Sequence, residues 1–128
     1  MALFHKHLIV RAEVNNPIKN EEVACAWVKK LIERIEMKIL MGPYAKYCDM
    51  VGNRGLTIAT IIETSHIVAH IWDETDPAMV QLDVYTCGPL DPYDVVESLQ
   101  EMEPVKIDMK YLDRENDLIE LPIPDKSE

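Results

Sequence analysis

Three cysteines in 128 residues leave little with which to staple a fold. Cys25, Cys48 and Cys87 form an odd, unpatterned set with no close pair. A disulfide scaffold or a zinc knuckle needs paired, closely spaced thiols, so neither is expected. Basic side chains are scarce too: 13 Lys and Arg stand against 23 Asp and Glu, a formal net charge of −10. Nucleic acids and anionic membranes both call for a basic footprint, which argues against either as a partner. No apolar run approaches the ~20 residues of a membrane span. Met1 to His7 also lacks the charged, apolar, small-residue order of a secretion signal. The expectation is a cytoplasmic protein with reduced thiols.

What remains is ordinary globular composition, 48% hydrophobic and 28% charged, on a length suited to one core. Alternation of Leu8, Val10 and Ala12 with Ile9, Arg11 and Glu13 predicts a strand over 6–14. Asn20 is placed as a helix N-cap, with Glu21 and Glu22 in the first turn. The four-residue recurrence of Val23, Trp27, Leu31 and Ile35 extends that helix over 21–36. A short strand at 38–41 is stopped by Gly42-Pro43, residues 44–54 show no firm period, and 52–55 reads as a turn. Runs at 56–64, 66–72 and 79–86 are rich in β-formers and suggest an antiparallel meander. Asp91-Pro92 opens a helix ending near 102, Pro104 stops it, and 105–111 alternates as a last strand. The expected fold class is α+β, a two-layer sandwich with helices on one face of a mostly antiparallel sheet. It fills a single domain over 1–115, and 116–128, with Pro122 and Pro124, reads as a tail.

The residues with chemistry cluster around Ser65. Ser65, His66, His70 and Trp72 follow an Ile- and Thr-rich run, and Cys87 comes shortly after. No metal site is expected. His66 and His70 on a strand are roughly 13 Å apart, too far to share an ion with bonds of about 2 Å. His5 and His7 lie closer but have no carboxylate or thiol placed to complete them. Ser-His hydrolysis is disfavoured as well, because Ser65 and His66 on a strand point to opposite faces and no glycine-flanked elbow surrounds the serine.

Backbone self-cleavage is a third possibility, which the residues by themselves do not favour over the other two. The Ser65 hydroxyl can attack the Thr64 carbonyl to give an ester. A base, for which His70 is the candidate, removes the serine α-proton, and β-elimination releases the upstream chain. The dehydroalanine left behind hydrolyses to a pyruvoyl group. Such a ketone captures a substrate amine as a Schiff base and takes up the charge left by loss of carbon dioxide. A thiol such as that of Cys87 is a reasonable proton donor to the carbanion.

From Gly55-Leu56-Thr57, through Glu63-Thr64-Ser65-His66 and His70-Ile71-Trp72-Asp73-Glu74, to Asp83-Val84-Tyr85-Thr86-Cys87-Gly88, the chain resembles the bacterial and archaeal S-adenosylmethionine decarboxylases. The resemblance implies cleavage between 64 and 65, with Ser65 becoming the pyruvoyl cofactor. It implies that His70 and Thr57 assist processing and that Cys87 is the catalytic proton donor. Trp72 and Glu74 would shape the substrate pocket, Glu74 at the ribose hydroxyls. It also implies a homodimer with sites at the subunit interface, S-adenosylmethionine as substrate, and spermidine synthesis as the destination of the product.

Two departures stand out. Thr64 occupies the place of a glutamate that normally precedes the serine, and Val51 is nearest to the place of an aromatic that stacks on adenine. Two other readings stay open on sequence alone. One is a decarboxylase of arginine or ornithine on the same scaffold. The other is an unprocessed, non-catalytic homologue that acts as a regulatory partner.

Overall fold

The computed structural model describes residues 4–123. Seven strands form one antiparallel sheet: β1 (Lys6–Val14), β2 (Ile39–Cys48), β3 (Gly55–Ile62), β4 (Ser65–Trp72), β5 (Ala78–Thr86), β6 (Pro104–Asp113) and β7 (Ile119–Leu121). Their order across the sheet is β2-β3-β4-β5-β1-β6-β7. The expected meander is β2 to β5. The first strand then inserts between β5 and β6, so sequence-distant segments meet at the sheet centre.

Two helices, α1 (Glu21–Arg34) and α2 (Pro92–Leu99), cover one face. Asn20 caps α1 by accepting from the Val23 N–H at 3.0 Å, and Asp91 caps α2 by accepting from Tyr93 N–H at 3.0 Å. The core lies between the layers: Leu8, Val10 and Ala12 of β1, Ile67, Ala69 and Ile71 of β4, and Trp27, Val28 and Leu31 of α1 are all buried. The Trp27 indole N–H donates to the Ser98 carbonyl at 2.7 Å and ties the helices together. Truncating so large a buried ring to alanine costs about 3–5 kcal/mol.

Three expectations need correction. The strand read over 56–64 ends at Ile62, and Glu63-Thr64 form the turn that reverses the chain. The second strand does not stop at Gly42-Pro43 but runs through it to Cys48. It is a sheet edge, and its register slips between Ile39 and Met41 and again between Met41 and Tyr44. Such irregularities break the period of two on which the sequence reading relies. Within the supposed tail, β7 pairs with β6 at Tyr111↔Leu121 and Asp113↔Ile119. A three-residue edge strand buries too little to leave an apolar pattern. The part of the tail beyond 123 lies outside the described residues.

Candidate active site

The β3–β4 hairpin turns in two residues, leaving Ile62 paired with Ser65. Thr64 takes φ +53°. That left-handed conformation costs a residue with a Cβ roughly 1–2 kcal/mol, and it falls on the residue whose carbonyl begins the 64–65 peptide bond. The Glu63 N–H donates to the Lys38 carbonyl at 3.1 Å and anchors the turn.

The Glu63 carbonyl is the meeting point. It accepts from the Ser65 hydroxyl at 2.8 Å, from the Thr64 hydroxyl at 2.8 Å and from the Cys87 thiol at 3.0 Å. Ser65 and Cys87, 22 positions apart, therefore share one oxygen. Ser65 is buried, at 7% exposure, and Cys87 half-buried. For the Ser65 hydroxyl to reach the Thr64 carbonyl it has to rotate off Glu63.

A second group gathers at the other end of the hairpin. Thr57 and His70 are cross-strand partners, and the hydroxyl lies 3.0 Å from Nδ1 of the imidazole. The His70 ring packs on Trp72 with centroids 5.7 Å apart. The Trp72 indole N–H donates to Oδ1 of Asn53 at 2.9 Å. Gly55 is obligatory beneath them, because a Cβ there would sit 2.0 Å from the Ile71 carbonyl oxygen. These residues and Cys48 line a cavity of about 310 Å³, at the small end of ligand-sized sites.

Glu74 closes the same turn. Its carboxylate accepts from the backbone N–H groups of Gly52 at 3.1 Å and Arg54 at 2.8 Å. Those two bonds, Arg54's first, hold its pKa below the ordinary carboxylate value. Glu74 is thus already a loop clamp, and any ribose hydroxyl would have to use its remaining lone pairs. Val51 lies exposed at the same turn.

The two groups do not meet within one chain. Five residues along a strand separate Ser65 from His70, roughly 16 Å. The odd separation also sends them to opposite faces: Ser65, Ile67, Ala69 and Ile71 are buried under the helices, whereas His66, Val68, His70 and Trp72 face the uncovered side. The expectation that His70 serves as a nearby base for its own chain's Ser65 is therefore corrected. Closeness in sequence is not proximity on an extended strand.

One constellation escaped the sequence reading. His7 on β1 and His66 on β4 both pair across to Tyr85 on β5, and Asp83 precedes Tyr85 by two residues on the same face. Nε2 of His66 is 3.0 Å from Oδ2 of Asp83, and Nε2 of His7 contacts the other carboxylate oxygen. Spacing along the chain does not show this group, because the pairing runs across strands. Knowledge of the strand order β4-β5-β1 would have been needed to find it.

The model of a protein family described as S-adenosylmethionine decarboxylase matches residues 6–115. An S-adenosylmethionine decarboxylase proenzyme of Clostridium botulinum strain Hall is 32% identical over 85 residues, covering 66% of this chain and 68% of that one. A proenzyme of the same description from Pyrobaculum arsenaticum is 39% identical over 66 residues, covering 48% and 50%. Among solved structures, the adenosylmethionine decarboxylase of Aquifex aeolicus superposes with a TM-score of 0.66 at 18% identity, covering 98% of this chain and all of that one. That likeness concerns the fold.

Proposed function

Because the chain belongs to the S-adenosylmethionine decarboxylase family, we propose that it is made as a proenzyme, cleaves itself between Thr64 and Ser65, and then decarboxylates S-adenosylmethionine to supply the aminopropyl donor for spermidine. One observation carries the reading: Ser65 and Cys87 converge on the Glu63 carbonyl directly beside a peptide bond that follows a left-handed threonine. The name shared by the relatives favours this substrate over arginine or ornithine, and an active enzyme over a silent homologue.

The residues fit a pyruvoyl group at position 65. The site is buried, which protects a reactive ketone, and it carries a thiol donor within reach. The ketone supplies an electron sink for loss of carbon dioxide. Cys87 holds the proton that is returned to the substrate carbon. Cleavage leaves the fold assembled, since the upstream piece keeps β1 between β5 and β6 and β3 against β4 of the downstream piece.

The second group acts on substrate and on processing. Thr57 orients His70 through the 3.0 Å bond, and Trp72 backs the imidazole. The turn held by Glu74 and Asn53 forms the mouth of the pocket, with Val51 where the adenine would lie. Because this group faces away from its own Ser65, a working site needs two chains. In a two-fold homodimer, Ser65 and Cys87 of one subunit meet Thr57 and His70 of the other, twice over. Exposed Ile9 and Ile61 on the uncovered sheet face offer apolar surface for such a pairing. A cytoplasmic location suits three free thiols, Cys25, Cys48 and Cys87, and no helix among the described residues is long and apolar enough to cross a membrane.

Intact-mass measurement on freshly purified protein tests the cleavage. Two fragments, each about half of 14.7 kDa, are expected, the downstream one bearing a keto terminus. Release of carbon dioxide from carboxyl-labelled S-adenosylmethionine, but not from arginine or ornithine, tests the reaction. A chain that stays whole and releases nothing from any of the three sinks the reading.

A further inference from the structure

The uncovered face of the sheet holds a second constellation that neither self-cleavage nor decarboxylation uses. We propose that His7, His66 and Asp83 form a binding site for a divalent cation of the zinc class.

Three adjacent strands, β4, β5 and β1, each deliver one residue to the same face. One donor atom from each of the three residues lies within 4.8 Å of the other two. A tetrahedral ion with bonds of about 2.0–2.1 Å holds its donors roughly 3.3 Å apart. Side-chain rotation alone closes that difference, because the Nε2 atoms of both imidazoles already point at the carboxylate. Two imidazoles and one carboxylate suit zinc, cobalt and nickel, whereas magnesium and calcium prefer an all-oxygen shell. Three protein ligands leave the fourth position free for a further donor, and Asp83 borders a groove with Val68 and His70.

Arg114 works against the ion, which gives the proposal a distinctive sign. Its guanidinium Nη1 is 3.3 Å from Nδ1 of His7, and the group sits 4.5 Å over the Tyr85 ring. A guanidinium only donates, so this contact keeps the His7 proton on Nε2. Metal binding needs the Nε2 lone pair and moves the proton to Nδ1, facing the arginine. Arg114 has to turn aside, and it is exposed and able to do so. The ion would join β1, β4 and β5 at the end of the sheet that bears the cleavage turn, since His66 follows Ser65 and Asp83 lies four positions before Cys87.

Cobalt(II) titrated into the chelator-treated full-length chain tests the site without recourse to activity. The expected result is the intense visible absorption of tetrahedral cobalt, saturating at one ion per chain and displaced by zinc. His66→Ala and Asp83→Asn are each expected to weaken binding by at least about tenfold. Asp108→Asn, which removes another acid from the border of the same groove, is expected to leave it unchanged, and Arg114→Ala to tighten it. Absence of the tetrahedral bands in the unaltered chain overturns the proposal whatever the variants do. So does an undiminished signal in His66→Ala, an Asp108→Asn loss equal to that of Asp83→Asn, or weaker binding in Arg114→Ala.

Discussion

Ser65 and His70 occupy the same strand, five positions apart and on opposite faces of the sheet. If both are needed for maturation, they must come from different subunits. Chains carrying Ser65→Ala cannot cleave, and chains carrying His70→Ala are expected to stay whole when expressed alone. Co-expressed, the two are expected to form mixed dimers in which His70 of the first chain serves Ser65 of the second. Fragments derived only from the His70→Ala chain are then expected by mass spectrometry. Cleavage of His70→Ala alone at the normal rate would show that the imidazole has no part in processing.

Thr64 holds a left-handed backbone ahead of the 64–65 peptide bond. In a Ser65→Ala background, which keeps the precursor whole, Thr64→Gly is expected to raise stability by about 1 kcal/mol in urea unfolding. With Ser65 present, the same change is expected to slow cleavage, because strain is no longer released. Thr64→Glu tests the other difference, the missing carboxylate. Faster cleavage with glutamate would identify the charge, and not the backbone, as what threonine lacks.

Cys87 donates its thiol proton to the Glu63 carbonyl at 3.0 Å. Cys87→Ala is expected to lower carbon dioxide release by about 10²–10⁴-fold, the usual worth of a positioned acid, and to affect cleavage less. Cys87→Ser keeps a donor and is expected to fall between. Single-turnover release measured beside a cleavage time course separates the two effects. Equal losses in both would make the thiol a structural support of the turn.

Glu74 has its pKa lowered by the N–H groups of Arg54 and Gly52. A carboxylate with a depressed folded-state pKa contributes stability above its ordinary value, and that contribution is lost as pH falls through the folded value. The turn at 52–54 is therefore expected to loosen only below the ordinary value of 4.5. The amide resonances of Gly52 and Arg54 are expected to titrate together with a midpoint below 4.5, and to stop titrating in Glu74→Gln. A midpoint at or above the ordinary value would mean that the clamp does not form in solution.

The helices and inner strands were legible because their signals are local. Asn20 and Asp91 cap helices whose apolar stripes repeat at helical spacing, and β1, β4 and β5 alternate without interruption. Edge strands were not legible. The bulges of β2 scramble its alternation, and β7 buries almost nothing. At the candidate site the residue types around Ser65, His70 and Cys87 stood out, but their distances did not. Asn53 reads in sequence only as part of a turn, since its value lies in one bond to the Trp72 indole.

The order of residues by itself determined which chemistry is available: a serine after an apolar, β-branched run, two histidines close behind it and a downstream thiol. Only the tertiary structure decided which of these groups share a place. Pleating assigns each side chain to one of two faces by the parity of its position, and pairing brings together residues remote along the chain. That is why Ser65 lies beside Cys87 instead of His70, and why His7, far upstream, stands beside His66 and Asp83.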